Sequence, residues 1–167
     1  MDVGFVGLGH MGAPMAQNLQ RLAIISSSTI AGAARLKPWR ARARKSPNAL
    51  PMRQGKILIT MLADDPAVEG VVFGDRGAHS ALRRDAIHIS MSTISVGLSD
   101  HLTEAHGKAG QGYVAAPVFG RPEAAAAAKL FIIAAGADAM LNVAISCLLR
   151  WVRRHLSSAT DPPRPIW

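Results

Sequence analysis

Short apolar runs alternate with helix-like stretches along most of the chain. The runs are Val3-Gly4-Phe5-Val6, Lys56 to Leu62, Ala86 to Met91, Gly112 to Ala116 and Leu130 to Ala135. Lys56 to Leu62 and Ala86 to Met91 each lead through a polar loop into a segment of helical composition, Pro66 to Phe73 and Val96 to Ala109. The Ala-rich stretch Glu123 to Lys129 supplies a short helix between the last two runs. Strand, loop and helix in this alternation predict an α/β domain built from βαβ units around a parallel sheet. The most apolar long window, Leu130 to Leu149, is broken by Asp138 and Asn142 and reads as a buried strand followed by a helix, not as a membrane span.

The first run passes at once into Gly7-Leu8-Gly9-His10-Met11-Gly12 and then into Ala13-Pro14-Met15-Ala16-Gln17-Asn18-Leu19. A G-x-G-x-x-G turn between a strand and a helix needs its glycines for three reasons. Gly7 allows the tight turn, Gly9 lets a pyrophosphate approach the backbone, and Gly12 lets the helix pack closely on the strand. The helix N-terminus then offers free N–H groups and a positive dipole end to the phosphates. Pro14 falls in the first turn, where a missing N–H costs little. The place of this turn directly after an N-terminal strand points to a Rossmann-like, doubly wound parallel sheet with a site for NADP or NAD; a merely structural glycine turn is the alternative.

Residues Phe5 to Leu19 resemble the N-terminal signature of the 3-hydroxyisobutyrate dehydrogenase family, relatives of 6-phosphogluconate dehydrogenase, at every position that signature fixes. Ile57 to Asp65 resembles the family's fourth strand and the loop under the cofactor. Ile87 to Ser95 resembles its next strand and Ser-Thr loop, and Ala115 to Pro122 sits where the family has a Pro-Val-Ser-Gly-Gly substrate loop, with Phe119 and Arg121 departing from that pattern. The resemblance covers residues 1–19 and 55 to about 145. It implies cofactor contacts from Gly7, Leu8, Gly9, His10, Met11, Gly12, Met61, Leu62, Ala63 and Thr93, and substrate contacts from Ser92, Phe119, Gly120 and Arg121. Without the family, Ser92, Thr93 and Met61 to Ala63 still fall at strand carboxyl ends, where such sheets bind ligands. A second reading has Ser92 and Thr93 cap the helix that follows.

Charge divides the chain differently. The net charge is +8, which ordinarily raises nucleic acid as a partner. Eight of the 19 bases fall within Gln20 to Gln54, which holds no acid, and Arg150 to Trp167 carries four more against Asp161. The remainder keeps seven bases and ten acids, an ordinary mildly acidic domain. The basic run Arg35 to Lys45, closely followed by Pro47 and broken by Pro38, does not line one face of a regular element as a nucleic-acid or lipid surface would. Neither nucleic acid nor membrane is expected as a partner.

Gln20 to Gln54 is also anomalous as a second strand. A dinucleotide site ends that strand in an acid for the ribose 2′-hydroxyl or an Arg for a 2′-phosphate, about 20 residues past the glycines. No acid stands between Asp2 and Asp64. Ala23 to Ile30 can form a strand on β-branched content alone. Read in a shifted frame, Arg21 to Ala31 permits the family's missing Ala-Gly-His turn and Tyr-Asn-Arg strand end. Arg150 to Trp167, shifted alike, permits the family's lead into its helical domain. The expected organisation is thus a dinucleotide-binding domain over residues 1–149, anomalous over 20–54, with a non-family tail over 150–167 and no C-terminal helical domain.

The resemblance implies an oxidoreductase acting on a small hydroxyacid. The family's general acid/base lysine lies beyond the last matching residue, so no catalytic residue is assigned and a truncated, impaired enzyme is expected. A frame-disrupted remnant and a basic interaction protein are the alternatives. Cys147 is alone, which excludes an internal disulfide and a cysteine-built metal site. His79, His88, His101 and His106 show no metal-ligand spacing, and His101 with Glu104 to His106 reads as a polar helix face. Lys108 and Lys129 read as solvated surface residues, and Asp64-Asp65 before Pro66 as an N-cap. Met1-Asp2-Val3 runs into a strand with no basic leader, so a cytoplasmic protein is expected.

Overall fold

The computed structural model describes residues 3–21, 25–29, 56–75 and 77–157. The basic run Arg35 to Lys45 and most of Gln20 to Gln54 lie outside the described residues, as do residues 158–167. The elements run in order β1 (Val3–Val6), α1 (Gly12–Arg21), β2 (Ile25–Thr29), β3 (Ile57–Thr60), α2 (Asp65–Phe73), α3 (Ala78–Ala81) and β4 (Ile87–Ser90). They continue with α4 (Val96–Lys108), β5 (Gly112–Ala115), β6 (Val118–Phe119), α5 (Pro122–Ala126), β7 (Leu130–Gly136), α6 (Asp138–Leu148) and β8 (Val152–Ser157). β2, β1, β3, β4 and β5 form a parallel array in that order, as the strand–helix alternation predicts.

The far side of the sheet departs from that simple pattern. β7 runs antiparallel to both β5 and β6, and one register holds throughout, Val114 opposite Gly136, Ala115 opposite Ala135, Val118 opposite Ile132 and Phe119 opposite Phe131. β5 and β6 are therefore one strand interrupted at Ala116-Pro117. Pro117 has no N–H to give to a ladder, but its carbonyl still accepts from Ile133 N–H at 3.3 Å, which keeps the register across the break. β8 pairs β7 in parallel.

Helices cover both faces. On one, Phe5, Ile59 and Ile89 of the sheet pack against Met15 and Leu19 of α1 and Leu141 of α6. On the other, Val6 and Leu58 meet Ala78 and Leu82 around α3, and Tyr113 and Ala115 meet Val68, Val72, Leu98 and Leu102 of α2 and α4. This is the doubly wound arrangement the glycine turn implies.

Order continues past Leu149, inside the segment expected to be a tail. Trp151 is fully buried, packs edge-on against Phe5 with ring centroids 6.4 Å apart, and donates its indole N–H to Met15 O at 2.8 Å. Its carbonyl accepts Leu130 N–H at 2.8 Å. One residue thus joins α1, β1 and β7. Asn18 adds a second tie, its amide donating to Ala125 O of α5 at 2.8 Å.

Candidate functional site

The carboxyl ends of β1, β3, β4 and β5 meet along one crest, because these strands are parallel and in step. The first residue past β3, β4 and β5 is pinned in each case to the last residue of the neighbouring strand. Met61 N–H bonds Val6 O at 2.9 Å, Met91 N–H bonds Thr60 O at 2.8 Å, and Ala116 N–H bonds Ser90 O at 2.7 Å. The crest is therefore a hydrogen-bonded rim on which the loops stand.

In the first loop the three glycines have different needs. Gly7 has φ +97°, and a Cβ there would overlap the Met61 carbonyl. A Cβ at Gly12 would overlap the Gly7 carbonyl, so α1 can begin where it does because that position has no side chain. At Gly9 a Cβ would meet nothing within 4 Å. The protein's own packing explains Gly7 and Gly12 but not Gly9, which is what a backbone kept bare for an approaching ligand looks like. Ala13 N–H bonds Gly9 O at 3.0 Å to open the helix, and the first turn of α1 carries no acid to compete with an anion at its positive end. These features fit the pyrophosphate of a dinucleotide. In a dinucleotide site the adenosine ribose is read at the end of the second strand; the residues that follow β2 lie outside the described residues.

The sequence-derived site residues divide by exposure. Gly9, His10, Ala63, Thr93, Phe119, Gly120 and Arg121 face solvent, Met11, Met61 and Leu62 are half-buried, and Gly7, Leu8 and Gly12 form the buried base. Ser92 is 2% exposed, and its hydroxyl accepts Leu62 N–H at 2.8 Å. It braces the neighbouring loop, while Thr93 is the residue presented outward. Neither caps α4; that role belongs to Ser95, whose Oγ accepts Leu98 N–H at 3.2 Å. Asp64 caps α2 through Ala67 N–H at 2.9 Å. In the fourth loop Gly120 has φ +148° and turns the chain from β6 into α5. Arg121 has no ion-pair partner among the described residues.

A polar seam that the sequence reading missed lies beneath this crest. Thr60 Oγ1 is 3.0 Å from His88 Nε2, His88 Nδ1 is 3.0 Å from His106 Nε2, and His106 Nδ1 is 2.7 Å from Gln111 Oε1. The Gln111 amide donates to the carbonyls of His79 and Leu82, so its oxygen is left to accept. The proton positions then follow from the partners. His106 donates from Nδ1 and accepts at Nε2, His88 donates from Nδ1, and Thr60 donates to His88 Nε2. This arrangement uses each imidazole in its neutral form.

Burial holds His88 well below the usual histidine pKa, with the His106 charge acting the same way. Burial lowers His106 too, partly offset by its bond to Gln111. Tyr113 OH is buried near the Ser90 and Ser99 hydroxyls, with no hydrogen-bond geometry to either, and burial raises its pKa. The expectation that His106 lies on a polar helix face is corrected: it is fully buried, in line with Leu98 and Leu102. That four-residue spacing was the available signal, masked by exposed Glu104 and Lys108 beside it.

Comparisons with known proteins agree with the geometry. The family model for the NAD binding domain of 6-phosphogluconate dehydrogenase matches residues 2–154. An uncharacterized oxidoreductase of Bacillus subtilis, YfjR, is 44% identical over 139 residues, covering 81% of this chain and 48% of its own. The 2-hydroxy-3-oxopropionate reductase of Escherichia coli is 31% identical over 143 residues, covering 85% of this chain and 49% of its own. The structure of Mycobacterium tuberculosis 3-hydroxyisobutyrate dehydrogenase with L-serine superposes with a TM-score of 0.83 at 25% identity, over 93% of this chain and 53% of that one. The chain spans about half the length of the relatives it matches.

Proposed function

This chain belongs to the family of 6-phosphogluconate dehydrogenase NAD-binding domains, and from that premise we propose that it holds and orients NADP or NAD for hydride exchange with a small hydroxyacid. The observation that carries the proposal is the open space over Gly9 at the N-terminus of α1, bare where the protein's own packing makes no demand. Backbone N–H groups of the glycine turn and the helix end take the pyrophosphate. The loop from Met61 to Ala63 supports the cofactor from the adjacent strand, and the Thr93 hydroxyl stands at its nicotinamide end.

A bound nicotinamide supplies or accepts the hydride. Arg121, an exposed cation on the loop after β6, is suited to the carboxylate of a hydroxyacid, and Gly120 brings the backbone close beside it. Phe119 replaces the small polar residue of the related loop with an exposed aromatic face, which favours a substrate with an apolar substituent. We assign these residues binding and orientation and no proton-transfer role. Lys108 is paired with Glu104 on α4, and Lys56 stands at the amino end of β3, away from the crest. By this reading the chain alone binds cofactor and turns substrate over poorly, since a positioned acid/base group contributes about 10²–10⁴-fold to rate.

The test is a fluorescence titration of the chain with NADPH and with NADH, beside the variant Gly9→Ala. The added methyl meets open space in the protein and collides with a bound pyrophosphate. The expected result is saturable micromolar binding that Gly9→Ala weakens by about tenfold or more at unchanged Tm. Equal binding by both proteins refutes the glycine-turn site, and no binding together with no cooperative melt identifies a remnant.

A further inference from the structure

α4 begins at a cap that its own sequence leaves half complete. In a capping box the third residue past the cap is Glu or Gln, which reaches back to the cap's N–H. That place is held here by Leu98, which has no acceptor to offer. The Ser95 N–H is instead bonded to Oδ1 of Asp65 at 3.0 Å, 30 residues away in the chain and on the neighbouring loop. Asp65 is not occupied as the cap of α2, because Asp64 performs that role. The two adjacent acids therefore serve two different helices, and Asp65 places negative charge near the positive ends of both.

The same two loops are joined at a second point, Leu62 N–H to Ser92 Oγ. Between the fastened residues Ser92 and Ser95 stand Thr93 and Ile94. Ile94 packs inward against the cluster around Val68 and Leu98, and Thr93 faces out. The direction of Thr93 is thus set by two cross-loop hydrogen bonds and one apolar anchor.

We propose that Asp65 is a positioning residue for dinucleotide binding: it completes the α4 cap from the neighbouring loop and so holds Thr93 toward the nicotinamide end of the cofactor. This rests on the reading of the crest as a dinucleotide site. Removing the carboxylate frees the Ser95 N–H and lets the Thr93 loop move, whereas Asn keeps an oxygen in the same place.

The experiment uses the whole chain, uniformly ¹⁵N-labelled, as wild type, Asp65→Ala and Asp65→Asn. Amide hydrogen exchange is followed at Ser95, with Ala67 as the internal control because Asp64 caps it, and NADPH and NADH are titrated by fluorescence. Asp65→Ala is expected to speed Ser95 exchange about tenfold and to weaken cofactor binding about three- to tenfold, as loss of one hydrogen bond predicts. Asp65→Asn is expected to return both to within about twofold of wild type, since its side-chain oxygen still accepts. Unchanged Ser95 exchange in Asp65→Ala overturns the clamp, and a freed Ser95 with wild-type affinity overturns the positioning role. A wild type that binds neither dinucleotide removes the crest reading and the positioning role with it, while the exchange contrast at Ser95 still decides whether the clamp exists.

Discussion

The two faces of the sheet are held to their helices by different physics. Under α1, α5 and α6 the contact is apolar, with Phe5, Met15, Leu19 and Trp151 at its centre, apart from two side-chain donors, the Asn18 amide and the Trp151 indole N–H, each bonded to a backbone carbonyl. Under α2, α3 and α4 the apolar contacts flank a seam of Thr60, His88, Ser90, His106 and Gln111, all buried and most joined in a directed chain. The first face gains from any arrangement that excludes water. The second is favourable in one arrangement of protons, and a wrong tautomer or an added proton leaves a buried donor facing a donor. The two faces should therefore respond differently to truncation and to acid.

The largest effect is expected on the apolar face. Trp151→Ala removes a fully buried indole together with its hydrogen bond to Met15 O, and should cost about 3–5 kcal/mol in urea unfolding. A cost below about 1 kcal/mol, the scale of a surface change, would mean that Trp151 does not anchor α1 to the sheet. Next is the seam. His106→Leu keeps an apolar body but leaves His88 Nδ1–H and Gln111 Oε1 unpaired, at about 1–3 kcal/mol for each group left buried without a partner. This should be measured at pH 8, where protonation plays no part. A variant as stable as wild type would show that the seam contributes no net stability.

The smallest and most diagnostic difference is the pH profile. His88 faces Thr60 from β3, His106 from α4 and Tyr113 from β5, and His106 also faces His79 from α3 and Gln111. Among the described residues no Asp or Glu is buried to offset a charge there. Because both folded pKa values are lowered, the unfolded chain takes up protons first as pH falls. The seam's stability is fully present above the ordinary histidine value of about 6.5 and is lost as pH falls from there through the lowered folded values. The slope is at most about 1.4 kcal/mol per pH unit for each histidine involved. Trp151→Phe should keep that profile and shift it down, whereas His106→Leu should flatten it. Parallel profiles for wild type and His106→Leu between pH 8 and 5 would place the acid sensitivity elsewhere.

Much of this was legible along the chain. The runs from Lys56, Ala86 and Gly112 became β3, β4 and β5, trimmed by a residue or two at their ends, and the run from Leu130 became β7, one residue longer than read. Ala23 to Ile30, read as a strand on β-branched content, contains β2 beside β1. Cys147 is buried, and burial raises its thiol pKa, in keeping with a small core residue. Asp64 caps α2 as read, but Asp65 was assigned to the same cap and instead serves α4. β6 was read as loop because two residues beside Pro117 carry no period of their own; its strand pairing comes from β7.

What the sequence by itself determined is whatever repeats or closes within a few residues: strand and helix alternation, the glycine turn between β1 and α1, and the cap at Asp64. These depend on local dihedral preferences, on side-chain periods of two and 3.6, and on hydrogen bonds that span three residues. Only the tertiary structure decided that Trp151 belongs to the core, that Asp65 completes the cap of α4, and that His88 and His106 share one buried proton arrangement. Each of these joins groups brought together by the sheet and its crossovers, 136 residues apart for Trp151 and Met15 and 18 for the two histidines. A hydrogen bond between such partners leaves no spacing to read, because its geometry exists once both strands and the helices over them are in place.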